Sequence, residues 1–140
     1  MKDKIQVLAE RCSGCRVCQL LCSMTHHAGA FNPRWATIRV EIDRNPDVDT
    51  PVSGIDVPQV CRQCEPAPCA QSCPAEAFEK REEGGAWAIR AGLCTGCGAC
   101  AESCSFDMIV FHQETAMKCD LCDGNPACVR YCPTGALALG

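Results

Sequence analysis

Apolar and polar positions alternate only in short stretches along this chain. Ala36 to Ile42 (ATIRVEI) has a period of two and predicts a strand. Ile55 to Val60 predicts its partner, reached across Asn45 to Gly54 (NPDVDTPVSG), a run of turn formers that reads as a surface loop. Phe78 to Ile89 (FEKREEGGAWAI) predicts a hairpin turning at Gly84-Gly85, and Ile109 to Met117 (IVFHQETAM) predicts another. Ala136 to Leu139 adds a terminal strand, while Arg16 to Leu21 and Ala99 to Ser103 suit short helices. No apolar run approaches the ~20 residues needed to cross a bilayer. The pattern predicts an α+β fold of small hairpins and helical turns.

Composition changes this picture, because such short elements need something to hold them together. Leu, Ile, Val and Phe number 26 of the 140 residues, below the level at which a chain normally buries enough apolar surface to fold. Sixteen cysteines stand in their place. Thiols in this number form disulfides in an oxidising compartment or bind metals and clusters as thiolates. The stretch after Met1, KDKIQVLAE, carries no apolar signal segment, cleavage site or twin arginine, so the expectation is a reducing, cytoplasmic setting and ligation. The formal charge of −4 gives no reason to expect nucleic-acid binding. Four cubanes at about −2 each would bring the total to roughly −12 and favour a partner with a basic docking face.

The cysteines fall into four groups of four with none left over. They are Cys12, Cys15, Cys18 and Cys22; Cys61, Cys64, Cys69 and Cys73; Cys94, Cys97, Cys100 and Cys104; and Cys119, Cys122, Cys128 and Cys132. The first and third read C-x2-C-x2-C-x3-C, the bacterial ferredoxin run. The second and fourth stretch the middle gap to four and five residues and are followed by Pro74 and Pro133. Two residues between cysteines let one tight loop set three thiolates on three corners of a cube. The fourth cysteine is expected to start a helical turn leading to a second cluster, with proline suited to its first turn. Zinc ribbons separate their C-x2-C pairs by ~15–20 residues, and these pairs are nearly contiguous. Four [4Fe–4S] clusters with all sixteen cysteines as iron ligands is the reading, and the internal repeat carries it.

On these groups the whole chain resembles the four-cluster iron–sulfur subunits of the dimethyl-sulfoxide-reductase family, whose fold is a duplicated ferredoxin-like dicluster. The resemblance implies that groups one and four exchange their last cysteines, as do groups two and three. One cluster would then use Cys12, Cys15, Cys18 and Cys132, and the next Cys119, Cys122, Cys128 and Cys22. A third would use Cys61, Cys64, Cys69 and Cys104, and the last Cys94, Cys97, Cys100 and Cys73. An outer pair would be built from residues 1–30 and 116–140 and an inner pair from 58–112, within one domain spanning 1–140. The chain departs from the family at Ser105-Phe106-Asp107, where Pro-Phe-Gly is usual. Asp tolerates the unusual backbone angles a turn needs there. The segment His27 to Arg34 with Ile38-Arg39-Val40 resembles a branch found with tungsten aldehyde oxidoreductases and carbon monoxide dehydrogenases.

Other residues invite chemistry of their own. His26 and His27 follow group one and are expected in an exposed loop or docking contact. Trp35, Trp87 and Tyr131 are expected to pack beside the clusters, and Met24, Met108 and Met117 to shield them. Lys118 and Arg62 stand beside or inside cysteine groups and either tune potentials by charge or are ordinary solvated side chains. There is no nucleophile–base pair, phosphate loop or dinucleotide fingerprint, so no catalytic residue is expected and the chemistry belongs to a partner. The expected role is that of a non-catalytic electron-transfer subunit, linking a catalytic subunit with a tungsten–pterin centre to a flavin subunit or ferredoxin. Carbon monoxide dehydrogenase or a molybdenum reductase are alternative partners. A diffusible polyferredoxin, and end-to-end self-association of the repeat, are further readings.

Overall fold

The computed structural model describes residues 4–44 and 54–140. Its strands pair only in twos, each pair antiparallel. β1 (Ile5–Val7) pairs with β8 (Leu137–Leu139), so Ile5 faces Leu139 and the two chain ends are tied together. β2 (Arg39–Arg44) pairs with β3 (Gly54–Gln59), β4 (Phe78–Lys80) with β5 (Trp87–Ile89), and β6 (Val110–His112) with β7 (Thr115–Met117). The helices are α1 (Val17–His26), α2 (Pro68–Gln71), α3 (Ala99–Ser103) and α4 (Ala127–Arg130). The α+β class and both expected hairpins are present. Gly84 and Gly85 take positive φ at the first hairpin turn, Gln113 and Glu114 at the second, the conformation that a two-residue turn matched to strand twist requires.

Several expectations shift. The strand expected over Ala36–Ile42 begins only at Arg39. Thr37 N–H is committed to Cys22 Sγ at 3.4 Å, so the start of the stretch serves the helix rather than a ladder; within the strand Val40 faces Pro58 and its N–H goes to Gln19 Oε1 at 3.0 Å. The expected loop at 45–54 lies outside the described residues except for Gly54, which opens β3. The helix expected over 16–21 runs on to His26. β1 was not foreseen; three residues of alternation are too few to separate from background.

The expected helical turn after each fourth cysteine is also corrected. The helices carry the third cysteine instead: Cys69 lies in α2, Cys100 in α3 and Cys128 in α4, and each helix ends before the fourth. Pro74 and Pro133 sit in turns. Only in group one does the helix continue past the fourth cysteine; in group three, which also lacks a proline there, α3 stops at Ser103. Pro74 and Pro133 follow helices that have already stopped, and it is Pro68 that takes the N-terminal position of a helix, in α2.

Two apolar cores result. One gathers Ile5, Ile38, Val40, Val60, Leu121 and Leu137 around Cys18, Cys22 and Cys128. The other joins Ala67, Ile109 and Ala116 to Cys69 and Cys100. α1 packs on α4 and α2 on α3, which brings group one against group four and group two against group three.

Candidate metal centres

The four cysteine loops share one backbone device. The residue immediately before each second cysteine has positive φ: Gly14 at 73°, Gln63 at 49°, Gly96 at 73° and Leu121 at 58°. Left-handed geometry reverses the chain within two residues, so the two flanking thiols end on one side. A second device follows the fourth cysteines. Glu76, Asp107 and Gly135, each three residues on, also take positive φ. The next N–H then turns back to sulfur: Ala77 N to Cys73 Sγ and Met108 N to Cys104 Sγ, both 3.4 Å. Asp107 thus takes the positive φ that the turn after Cys104 requires. Cys22, inside α1, has no such turn, and its N–H donor comes from Thr37, whose hydroxyl lies 3.5 Å from the same sulfur. Ala116 N donates to Cys94 Sγ at 3.4 Å and Gln63 N to Cys61 Sγ at 3.5 Å.

These contacts bring together thiols that are remote in sequence. Cys22, Cys119, Cys122 and Cys128 line one small cavity, and Cys73, Cys94, Cys97 and Cys100 line another. Burial pushes the Cys18 thiol up to about 11, and its neighbours Cys15, Cys12 and Cys132 push in the same direction. Cys128 is pushed up to about 12, by burial first and then by Cys22, Cys122 and Cys18. Cys69 is raised by burial, with Cys61 and Cys104 adding to it. Clusters of thiols that repel each other's ionisation and meet N–H donors are a donor set for a polyvalent cation or an iron–sulfur core, which accepts all the thiolates at once. Cys132 runs the other way. Burial raises it, but the Thr134 hydroxyl and the backbone N–H groups of Thr134, Ala136 and Leu137 outweigh burial and leave it lowered.

Charge coupling also reaches from one quartet to the next. Cys128 is close enough to Cys18 to feel its charge, Cys119 to feel Cys61, and Cys100 to feel Cys69. Cys15 and Cys97 are the exposed cysteines of the sixteen.

The remaining singled-out residues fall in unexpected places. His26 ends α1 half-buried, with Nε2 3.6 Å from Cys122 Sγ and 3.7 Å from Asp120 Oδ1. His27 Nε2 is 3.1 Å from the Trp35 carbonyl, and the rings of His27, Trp35 and His112 pack at tilted to edge-on angles with centroids 4.3–5.3 Å apart. Neither histidine is in an exposed loop. All three histidines instead line an open cleft of about 330 Å³. Tyr131 is exposed under Arg130, and Arg62 stacks on Phe106. Met108 is buried. Lys118 is buried too, which removes the reading of a solvated side chain. Thr37 and Thr134 were not foreseen, since nothing near them in sequence marks them as sulfur partners.

Residues 52–140 match the 4Fe-4S dicluster domain family. The chain is 37% identical over 130 residues to the aliphatic sulfonate oxidoreductase, polyferredoxin-like subunit of Pyrococcus furiosus, covering 91% of this chain and 70% of that one. It is 31% identical over 161 residues to an iron-sulfur protein of Rhodospirillum rubrum, covering 99% and 83%. In three dimensions it resembles the active site complex BamBC of benzoyl coenzyme A reductase as isolated, with a TM-score of 0.53 and 28% identity over 99% of this chain and 76% of that chain. No helix among the described residues is long and apolar enough to cross a membrane. With its ferredoxin-spaced cysteines on paired loops and well over half its length aligned, the chain belongs to the 4Fe-4S dicluster domain family.

Proposed function

We propose that this iron–sulfur protein carries four [4Fe–4S] clusters in a row and relays electrons between a catalytic oxidoreductase subunit and a second redox partner. The observation that carries this reading is the internal order of the thiols. Cys12, Cys15, Cys18 and Cys132 would hold the first cluster, and Cys119, Cys122, Cys128 and Cys22 the second. Cys61, Cys64, Cys69 and Cys104 would hold the third, and Cys94, Cys97, Cys100 and Cys73 the fourth. The charge coupling between Cys18 and Cys128, Cys119 and Cys61, and Cys69 and Cys100 supports a single line in that order. Each cluster, when bound, takes up and releases one electron. The chain's own part is to hold the thiolates, to direct N–H groups at their sulfurs and to exclude water from the middle of the row. The exposed Cys15 and Cys97 belong to the first and last quartets, so the row offers an end to each of two partners.

For the catalytic partner we favour a tungsten–pterin oxidoreductase of the aldehyde-oxidising kind, with a flavin subunit or ferredoxin at the other end. The polyferredoxin-like subunit of an oxidoreductase among the relatives supports a fixed subunit over a free shuttle. The test is anaerobic purification from the native cell with iron, tungsten and molybdenum assayed on one sample. About 16 irons per chain with a co-eluting tungsten subunit is the expected result. The same iron in a lone small protein would replace the relay with a diffusible polyferredoxin, and zinc in place of iron would overturn the reading.

A further inference from the structure

Lys118 is 7% exposed. Its Nζ lies 2.9 Å from Gln63 Oε1, 2.9 Å from the Trp87 carbonyl and 3.1 Å from the Cys119 carbonyl. Three oxygen acceptors around one nitrogen use three N–H donors, and only the ammonium form has three. The partners are neutral dipoles. Among the described residues no carboxylate forms an ion pair with Lys118. A buried ammonium without an anion is costly, so native chains pair such groups.

The position of the three acceptors identifies the missing anion. Cys119 opens the group-four loop, Gln63 lies between Cys61 and Cys64 of group two, and Gln63 Nε2 also donates to the Cys119 carbonyl at 2.9 Å. Lys118 therefore sits on the seam where the second and third quartets meet. Thiolate-bound cubanes on either side would supply the compensating negative charge.

We propose that Lys118 is a tuning residue, a fixed buried cation that raises the reduction potentials of the two middle clusters above those of the two end clusters, with Gln63 holding it in place. The proposal rests on the four-cluster reading. One-electron reduction adds negative charge to a cluster without a proton, so a nearby fixed cation stabilises the reduced form, and in a dry seam it is weakly screened. Its acceptors Gln63 and Cys119 belong to the loops of the third and second quartets, so the end clusters would feel it less. A raised middle keeps an arriving electron on the protein until the second partner docks.

The test uses the full iron-loaded chain, with K118M and K118R compared to the unmodified protein by iron assay and EPR-monitored potentiometric titration. K118M is expected to keep its iron and to lower the reduction equilibrium constant of two of the four couples by about tenfold or more, which is about 59 mV for a one-electron couple. The other two couples should move less than threefold, and K118R should match the unmodified protein. Four unchanged couples in loaded K118M, or equal shifts in K118M and K118R, would overturn the tuning role. Should K118M fail to load, K118Q carries the same expectation. Failure of both uncharged variants with full loading of K118R supports the charge requirement, whereas failure of all three makes Lys118 a packing residue only. An iron content in the unmodified protein that departs from about 16 per chain defeats the four-cluster reading itself, independently of the variants.

Discussion

Alanine at Gly96 should cost one cluster, whereas alanine at the equivalent Gly14 should not. Both glycines precede a second cysteine with φ of 73°. An L-residue in left-handed geometry costs about 1–2 kcal/mol, and the fold already accepts this at Gln63 and Leu121 in the other two loops. The surroundings separate the two sites. A Cβ on Gly14 would press on the Asp56 carboxylate, a side-chain end that can rotate away. A Cβ on Gly96 would press on the backbone carbonyl oxygen of Glu114. Glu114 lies in the tight β6–β7 turn and is itself in positive φ, so it moves only if the hairpin moves. The hairpin cannot shift freely, because Ala116 N–H is bonded to Cys94 Sγ. Overpacking of this kind adds roughly 1–3 kcal/mol, giving about 2–5 kcal/mol for G96A against about 1–2 for G14A. Gly98→Ala is the control, with φ of 84° and no neighbour within 4 Å of its Cβ. Iron per chain after anaerobic purification reads the outcome. G14A and G98A should load fully, and G96A should lack about four irons. Full loading of G96A, with cluster loss on heating no faster than in G98A, would refute the clash argument, as would a G14A variant as impaired as G96A.

Ser23, fully buried, has its hydroxyl 2.9 Å from both the Leu20 and Ala30 carbonyls, which share its one proton, and it accepts from Asn32 N–H at 3.1 Å. S23A leaves a buried N–H and a carbonyl unpaired and should cost about 2–4 kcal/mol, read as faster cluster bleaching in urea; bleaching at the unmodified rate would count against it. Loading releases protons from thiols that burial holds up, Cys18 to about 11 and Cys128 to about 12. Raised thiols favour the metal-free fold below the ordinary thiol range and cease to as pH climbs towards 11–12, whereas each ligation step expels a proton and gains as pH rises. Reconstitution at limiting iron should therefore improve from pH 7 to pH 9, and a flat profile would contradict it. Iron chelation should abolish the far-UV signal of the whole chain, with the group-two and group-three half losing amide protection first. Hydrogen exchange that protects that half longest would reverse this order.

What the sequence made legible was whatever repeats or is local. The four cysteine groups, the Gly84-Gly85 turn and the β6–β7 hairpin each announce themselves within about ten residues. The turn at Asp107 is expected from the family resemblance, with a residue type that tolerates it, and its φ of 53° agrees. The rest depends on partners far along the chain. Nothing near Thr37 says that its N–H and hydroxyl address Cys22, fifteen residues back. Nothing near Lys118 says that its acceptors come from Gln63 and Trp87. A lysine beside a cysteine reads as solvated because lysines usually are; only the meeting of two loops makes it buried. The strand expected from Ala36 starts late for the same reason, because alternation does not reveal that a N–H has been claimed by sulfur.

The two cores also explain why so few large apolar residues suffice. The core around groups one and four holds Ile5, Ile38, Val40, Val60, Leu121 and Leu137 beside its cysteines, and β1–β8 pairing closes it across the chain ends. The core around groups two and three has one large aliphatic residue, Ile109, among its buried members, the others being Ala67, Ala116, Cys69 and Cys100. Burying alanines yields little apolar area, and α2 and α3 are four and five residues long, too short to hold helical geometry alone. The second half must therefore draw more of its stability from what its thiols bind, which is why chelation should open it first. A metal-dependent half joined to a better-packed one through Lys118 and Gln63 makes the seam the point where loss of one cluster would be felt by the next.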